Sequence, residues 1–416
     1  MTRMTMPEHG MPREAVLQAL RDRKAGDADW EHGRVPLYVF KATDEVARIG
    51  RDAFFEYFFE NALGGARAFP SVRQMESEVV QMALGLLTAP PDAQGFMSTG
   101  GTESIIQAVQ TCRDWTRQQR GRPTLRGNIV APESVHPAFD KAARLMDLEV
   151  RRVPVGPDWR ADVAAMEERV DADTLMLVGS APCFPYGVVD PIAELGALAQ
   201  ARGLWLHVDA CVGGYIAPFA RMLGRAIPAF DFGVAGVCSI SADLHKFGFC
   251  PKPASTVFYR SSELARCHAF DFDGWPSGRF LTSTIAGTRP AGGVAGAWAV
   301  FHCLGIEGYK RIAAELLDFV DRFQAGVRAI PGMHIVGEPH LSLVAFGSDE
   351  VDVFRVAELM SAQGYLPGLV QKPRALHRMM SLVHEPGAAE YLDALRDAVD
   401  AVRGAPASRA TISASY

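Results

Sequence analysis

Short apolar segments alternate with amphipathic segments between about residues 95 and 260 of the chain. The apolar runs lack the strict alternation of half-exposed strands, whereas the segments between them repeat apolar residues at helical spacing. The runs are NIVAPE, LEVRRVPV, TLMLVGSAP, LWLHVDA, GVAGVCSIS and STVFYR. Strands that alternate with helices over short connections predict βαβ units, and therefore a mostly parallel sheet covered by helices on both faces.

The pattern changes after GTRPAGG (287–293), where a long helical pattern runs from Ala295 to about Ala329 with an interruption near GIEG. Shorter strand-like runs and two further helical segments follow it. Residues 1–50 read as a helix and an extended arm, too small to fold alone. We therefore expect an α/β fold with an N-terminal arm (1–50), a large domain with a mostly parallel sheet (51–293) and a small C-terminal α+β domain (294–416).

Composition narrows the class of protein. Of 416 residues, 22% are charged and 48% hydrophobic, and the net charge of −6 offers no basic excess for nucleic acid or anionic membrane. The N-terminal residues lack the apolar core of a signal peptide, and no uncharged stretch is long enough for a membrane span. The seven cysteines are scattered and form no CxxC pair, which argues against disulfides or a zinc site. We expect a cytoplasmic enzyme-sized protein.

Three segments carry candidate chemistry. In STGGTESIIQAV (98–109), glycines lead directly into a helix, whose free N–H groups and dipole can bind an anion. Taken alone, this segment is better explained by an ordinary helix start with flexible glycines. No Lys-Ser/Thr pair follows at the spacing of a nucleotide-binding P-loop.

The second segment, LWLHVDACVGGY (204–215), ends an apolar strand at Asp209, where ligands of open α/β sheets bind. That carboxylate can cap a helix, pair with a protonated ring nitrogen or, with His207 on the same face, bind a metal. The third segment places Lys246 after the apolar run GVCSISA. An anion site, an acid at a strand end and a later lysine are together the parts that pyridoxal phosphate requires.

These segments resemble the fold-type I pyridoxal-phosphate lyases of the group II decarboxylase superfamily, and within it most closely the sphingosine-1-phosphate lyases. Seven ordered segments covering most of the chain carry the resemblance. They are FPSVRQMESEVVQM (69–82), STGGTES (98–104), VHPAFDKAA (135–143), SAPCFPYGVVDPI (180–192), HVDACVGG (207–214), SISADLHKFGFCPK (239–252) and AGTRPAGG (286–293).

The resemblance implies a role for each matching residue. Lys246 would bond the cofactor covalently, and His136 would stack on its pyridine ring. Asp209 would pair with the ring nitrogen, while Cys211 would lie against the opposite ring face. The residues implied to contact the cofactor phosphate are Gly101, Thr102, His245 and, from the neighbouring subunit of a homodimer, Thr288.

The resemblance also implies residues for the substrate. Lys252 would meet the polar head of the substrate, and Tyr38 would reach the partner's site from the N-terminal arm. Tyr186, in FPYG, is a similar catalytic candidate. For each of these three, an ordinary structural role is the alternative.

One segment departs from the family pattern. The lyases carry Asn-Pro-Leu-His-Pro before the FP segment, and that histidine helps to bind the substrate phosphate. Here the segment reads NALGGARAFP, so Asn61 remains but Gly64 and Gly65 replace His-Pro. Arg67 is the candidate replacement, since a guanidinium suits a forked contact to phosphate.

The resemblance implies retro-aldol cleavage of a phosphorylated sphingoid base to a long-chain aldehyde and phosphoethanolamine. An amino-acid decarboxylase, or a lyase for another hydroxylated amine, uses the same cofactor residues and stays open. A third alternative is a cofactor-binding protein without turnover.

Overall fold

A seven-stranded sheet forms the centre of the molecule, in the order β1-β7-β6-β5-β4-β2-β3. The computed structural model describes residues 3–406 and 410–414. The strands are β1 (Gln94–Ser98), β2 (Asn128–Pro132), β3 (Glu149–Val153), β4 (Thr174–Ser180), β5 (Trp205–Asp209), β6 (Val237–Ala242) and β7 (Ser255–Tyr259).

Five of these strands, β3, β2, β4, β5 and β6, run parallel to one another. The antiparallel strand β7 joins β6 to β1. Every residue of β2, β4, β5 and β7 is buried, because helices cover both faces of the sheet. The predicted mostly parallel sheet is therefore confirmed, while β1 is a strand that the sequence pattern did not predict.

The helices that cover the sheet also follow the predicted segments. Helix α4 occupies TESIIQAVQTCRDWTRQQ, and α5 and α7 occupy the amphipathic segments after β2 and β4. The α-helices are α1 (Arg13–Lys24), α2 (Asp44–Glu56), α3 (Pro70–Leu86), α4 (Gly101–Gln119), α5 (Ala138–Met146), α6 (Val163–Glu168), α7 (Ile192–Arg202), α8 (Ala217–Met222), α9 (Ser262–Ala265), α10 (Gly292–Arg328), α11 (Val353–Ala362) and α12 (Ala388–Gly404).

The C-terminal part has its own antiparallel sheet, which α10 and α11 contact, and α12 packs against these two helices. Helix α10 is interrupted at Gly305, where φ is 54° and ψ is −173°, so the break falls at the predicted GIEG segment. The remaining strands are β8 (Phe270–Phe272) and β9 (Phe280–Thr282), which pair with each other, and the small-sheet strands β10 (Met333–Ile335), β11 (Leu343–Ser348), β12 (Leu369–Val370) and β13 (Ala375–Met379).

The N-terminal arm lies against this C-terminal part. The carbonyl oxygen of Pro36 accepts from the N–H of Met379 at 2.9 Å, and that of Arg34 accepts from Leu366 at 2.9 Å. His384 Nε2 lies 2.7 Å from the carbonyl oxygen of Val35. Helix α1, by contrast, has no buried residue. The extended half of the arm is therefore held by the fold, while α1 presents all its faces to solvent within this chain.

Two properties bear on the environment of the protein. The seven cysteines, which all fall in the part of the chain that the structure describes, are free thiols. Within that same part, no helix combines the length and the apolarity that crossing a membrane requires.

A contact between the large and small sheets depends on Gly187. Its φ is +73°, and an added Cβ would lie 1.9 Å from the carbonyl oxygen of Leu343 in β11. Gly203, at the end of α7, has a similar φ of +62° but open space around it.

We expect Gly203→Ala to cost about 1–2 kcal/mol, the strain of a left-handed alanine. Gly187→Ala adds the backbone clash and costs a further ~1–3 kcal/mol. Urea denaturation of both variants measures the difference. Equal losses of unfolding free energy in the two variants would show that the Leu343 backbone in β11 does not pack closely against Gly187.

Candidate active site

A cavity of about 330 Å³ lies at the carboxyl edge of the parallel strands. The residues that follow β4, β5 and β6 form one wall, and the start of α4 forms another. Ligands of open α/β sheets bind at this edge, because the loops that leave adjacent parallel strands meet there. The predicted residues that line the cavity are Gly101, Thr102, His136, Asp209, Cys211, His245 and Lys246.

The glycine turn, Gly100 and Gly101, leads from β1 into α4. No side chain caps the start of this helix within the described residues, so its first N–H groups are available to an anion. A Cβ on Gly101 would lie 2.7 Å from Cys211 Sγ and 2.8 Å from Asp243 Oδ2. Only glycine therefore lets the helix start approach the residues after β5 and β6 this closely.

Asp209 ends β5 and is held by two donors. The Cys211 N–H donates to Oδ1 at 3.1 Å, and the Ser241 hydroxyl donates to the same oxygen at 3.4 Å. His207 Nε2 lies 3.2 Å from Ser241 Oγ, and its Nδ1 lies 2.7 Å from Ser239 Oγ. Burial lowers the pKa of His207 to about 4, so its ring is neutral. Both ring nitrogens face serines, which makes His207 a support for Asp209.

Lys246 lies in the turn after β6, with its Nζ 3.0 Å from Asp243 Oδ2. Burial favours the neutral amine, but the negative charges nearby, first Asp243, outweigh burial and raise the pKa of Lys246. Lys246, although it follows a buried strand, is therefore paired with a carboxylate. The ammonium is thus stabilised beside the cavity.

Two histidines frame the lysine. The Ala138 N–H donates to His136 Nδ1 at 3.1 Å, and the Ala254 N–H donates to His245 Nδ1 at 3.2 Å. Burial lowers the pKa of both rings. Each neutral ring therefore carries its proton on Nε2, because Nδ1 acts as the acceptor. His245 can then donate to an anion, and His136 offers an uncharged ring face.

The other predicted residues do not line this cavity within the chain. Asn61 Nδ2 donates to Thr288 Oγ1 at 3.2 Å, so these two residues lie together elsewhere. Lys252 Nζ donates to the carbonyl oxygen of Tyr38 at 3.0 Å. These residues stay predictions for a site shared with a partner.

Tyr186 and Arg67 also lie outside the cavity walls. The Tyr186 hydroxyl donates to the Lys372 carbonyl oxygen at 2.7 Å, and burial raises the pKa of Tyr186 to about 12. Arg67 is exposed, and its side chain makes no hydrogen bond or ion pair among the described residues. Their predicted roles are not tested by this geometry.

Sequence reasoning missed two carboxylates that line the cavity, Asp243 and Glu103. Glu103 accepts from the N–H and hydroxyl of Thr99, at 2.7 and 2.6 Å, and from the N–H of Ile285 at 2.9 Å. Its position in the first turn of α4 could have indicated this bridging role. For Asp243 the signal was its spacing, since a residue three positions before a lysine in a tight turn can reach it.

The cavity fits pyridoxal phosphate on its own features. The uncapped helix start suits a phosphate, and glycine at position 101 avoids a Cβ that would clash with Cys211 and Asp243 in the cavity wall. Asp209 suits a protonated ring nitrogen, and Lys246 suits the covalent link. The donor set is therefore of the kind this cofactor requires.

Comparisons with known proteins agree with this assignment. The family model described as the pyridoxal-dependent decarboxylase conserved domain matches residues 63–348. The sphingosine-1-phosphate lyase of Oryza sativa subsp. japonica is 40% identical over 412 residues, which cover 97% of this chain and 76% of that protein. A "Probable L-aspartate decarboxylase" of Thermococcus gammatolerans is 31% identical over 401 residues, 96% of this chain and 100% of that protein.

Among solved structures, the sphingosine-1-phosphate lyase of Burkholderia pseudomallei superposes with a TM-score of 0.91 and 37% identity. The superposition covers 97% of this chain and 94% of that chain. The fold predicted from the sequence is thus found across almost the whole chain.

The glycine turn supplies a paired test of the site geometry. Gly101→Ala places a methyl group against Cys211 and Asp243, whereas the nearest atom to a Cβ on Gly100 is His245 Cε1 at 3.6 Å. We expect Gly101→Ala to destabilise the cofactor-free protein by about 1–3 kcal/mol. Gly100→Ala, whose φ of 172° any residue adopts, leaves the melting temperature near that of the wild type. Similar melting of both variants would contradict the close packing described for Gly101.

Proposed function

The chain belongs to the pyridoxal-dependent decarboxylase family and, within it, to the sphingosine-1-phosphate lyases, and from this premise we propose that it cleaves a phosphorylated sphingoid base. It is a lyase that depends on pyridoxal phosphate. The products would be a long-chain aldehyde and phosphoethanolamine. The observation that carries the proposal is one cavity that gathers Lys246, Asp209 and the glycine turn in a chain of this family.

Each cavity residue is proposed to hold a different part of the cofactor. Gly101, Thr102 and the Nε2–H of His245 would bind its phosphate, since each offers a donor to an anion. Asp209, fixed by two donors, would hold a proton on the ring nitrogen. The neutral His136 would lie on one face of the ring and the Cys211 thiol on the other. Lys246 would bond the cofactor.

When bound, pyridoxal phosphate supplies an electron sink for the bond that breaks in the substrate. The protein supplies orientation and proton control. Asp209 Oδ1 accepts from the Cys211 N–H and the Ser241 hydroxyl, which fixes the orientation of the carboxylate. The amine of Lys246 is a candidate to move the hydroxyl proton of the substrate. Help of this kind is typically worth about 10²–10⁴-fold in rate.

The substrate phosphate requires cations outside the cavity. Gly64 and Gly65 are part of the local packing, because Cβ atoms there would lie 3.1 Å from the Phe69 ring and 3.2 Å from the Ala62 carbonyl oxygen. The segment therefore offers no side chain where the family has histidine. Arg67, exposed two residues later, and Lys252 are the groups we propose for the phosphate.

A homodimer would complete this site, and three features of the chain support it. Thr288 and Asn61 lie together, outside the cavity of their own chain. Helix α1 has no buried residue. A run of aromatic side chains near the end of α2 is exposed, with Phe59 at 92% and Phe55 at 61%. The partner would cover these surfaces and receive Thr288 and Tyr38; Tyr186 remains the second tyrosine candidate.

The predicted cytoplasmic location also stays a proposal, which the seven free thiols support, since such thiols persist in reducing compartments.

Amino-acid decarboxylation is the second candidate. The 31% identity to a protein named as a probable L-aspartate decarboxylase favours testing it, and the cofactor residues serve both reactions. The two reactions differ in which substrate bond is broken, so their products distinguish them.

The product assay uses purified, cofactor-loaded protein with sphingosine-1-phosphate. We expect long-chain aldehyde by mass spectrometry, and none from Lys246→Ala, because that variant lacks the bonding amine. The matched control is Lys310→Ala, whose lysine pairs with Glu307 on the surface of α10. If a fully loaded protein gives no aldehyde but releases carbon dioxide from L-aspartate, the protein is a decarboxylase and the proposed lyase activity is wrong.

The phosphate contact is tested with Arg67→Ala. A hydrogen bond to a charged group contributes about 1.5–3 kcal/mol. We therefore expect kcat/KM for sphingosine-1-phosphate to fall by about 10- to 100-fold, mostly through KM. The unphosphorylated base serves as control, and its slower cleavage should not change. An equal loss with both substrates would mean that Arg67 has a structural role only.

A further inference from the structure

Asp243 is a buried carboxylate that the cofactor assignments above do not use. Asp243 follows β6, and only 3% of its surface is exposed to solvent. One oxygen, Oδ2, lies 3.0 Å from Lys246 Nζ, while the Ser255 hydroxyl donates to Oδ1 at 2.5 Å. His245 Nε2 is farther, at 3.8 Å. Lys246 is thus the cation that Asp243 contacts most closely.

A chain of buried hydroxyls fixes this carboxylate. Ser255 Oγ lies 3.0 Å from Ser104 Oγ, which lies 2.7 Å from Ser98 Oγ. Ser104 belongs to the first turns of α4, and Ser98 ends β1. The hydrogen-bonded chain therefore ties Asp243 to the helix start at which an anion would bind. A carboxylate held this way on one oxygen keeps the other aimed at the lysine.

The glycine turn adds a second constraint. Gly101 Cα approaches Asp243 so closely that a Cβ would lie within 2.9 Å of both carboxylate oxygens. The helix dipole at this end favours a negative charge. Although burial alone would raise the pKa of Asp243, the ammonium of Lys246 and the hydrogen bond from Ser255 lower it. Asp243 is consequently charged before any ligand enters.

The charged and titratable groups around Lys246 come from several elements. Asp243 is the nearest, and the others act at longer range. They are Asp209 and Cys211 after β5, His136 before α5, His245 in the same turn and Lys252 beyond it. Asp209 favours the ammonium as Asp243 does, whereas Lys252 and burial oppose it. Removal of Asp243 leaves Asp209 and Glu103 as the carboxylates that line the cavity, and neither forms an ion pair with Lys246 among the described residues.

We propose that Asp243 is a positioning residue that holds Lys246 as an ammonium until the cofactor binds, so that proton release from Lys246 controls cofactor attachment. The covalent link forms when the amine adds to the aldehyde carbon of pyridoxal phosphate. A C=N bond replaces the C=O bond, and the oxygen leaves as water. The ammonium must first give up one proton to solvent. An unloaded chain is thereby kept unreactive toward other aldehydes.

Cofactor-free protein tests the proposal without any substrate. Pyridoxal phosphate is added at a series of pH values, the link is reduced with borohydride, and the mass of the Lys246 peptide reports attachment with time. In the wild type, the attachment rate still rises near the ordinary lysine pKa of about 10.4. In Asp243→Asn the pH at which the attachment rate is half-maximal should fall by about 1–3 units. This is the size of effect expected when an opposite charge at this distance is lost. We call this pH the midpoint.

Controls separate positioning from folding. Asp231→Asn removes a buried carboxylate that pairs with Arg221 elsewhere, and it should leave the midpoint unchanged. Asp243→Glu restores a charge and should return the midpoint toward the wild type. Asp243→Ser is the second neutral variant in case Asp243→Asn does not fold. A folded neutral variant with the wild-type midpoint overturns the proposal, and so does a wild-type midpoint near neutral pH.

Discussion

The ammonium of Lys246 is the group around which the site is organised. An isolated buried charge costs several kcal/mol, so a lysine at the end of a buried strand requires a carboxylate at contact distance. Asp243 meets that requirement at 3.0 Å. Asp243 is in turn satisfied by Ser255, and through the hydroxyl chain it is connected to α4. The position of the helix start that can bind phosphate and the charge state of the lysine are therefore linked.

This linkage explains why small residues surround the cavity. Gly101 has no Cβ because the carboxylate and the Cys211 thiol occupy that space. Gly213 is similarly constrained, since a Cβ there would lie 2.1 Å from the carbonyl oxygen of Ala181 after β4. Each strand end can then bring its loop to the same edge of the sheet. The parallel strands set the direction of these loops, and the glycines set how closely the loops approach.

The groups that would meet the substrate are arranged differently from those that would hold the cofactor. The residues proposed for the cofactor line one cavity within a single chain, except Thr288, which is proposed to come from the partner. Asn61, Thr288, Tyr38 and Lys252 instead bond to each other or to backbone at the molecular surface. This separation is what a site shared between two chains requires. The glycine pair at 64 and 65 belongs to the same surface, where it packs against Phe69 and Arg73.

The local pattern of the sequence was sufficient for most of the elements. Strands β2 to β7 and helices α4, α5 and α7 lie where apolar runs and helical periodicity predicted them, because burial on both faces demands those patterns. Strand β1 was missed because its QGFMS segment mixes glycine and polar residues with only two large apolar ones, so no apolar run marks it. Likewise, the motifs indicated the cofactor residues but not Asp243, whose role depends on a turn that the pattern does not describe.

The sequence by itself determined the fold class, the family and the residues proposed for the cofactor, because strand and helix periodicity and seven ordered motifs are local properties of the chain. Tertiary structure alone decided that Lys246 is paired, that His207 supports Asp209, and that Thr288 lies apart from the cavity of its own chain. Charge states, and contacts between residues distant in sequence, depend on distances between packed elements. The spacing of residues along the chain does not specify those distances.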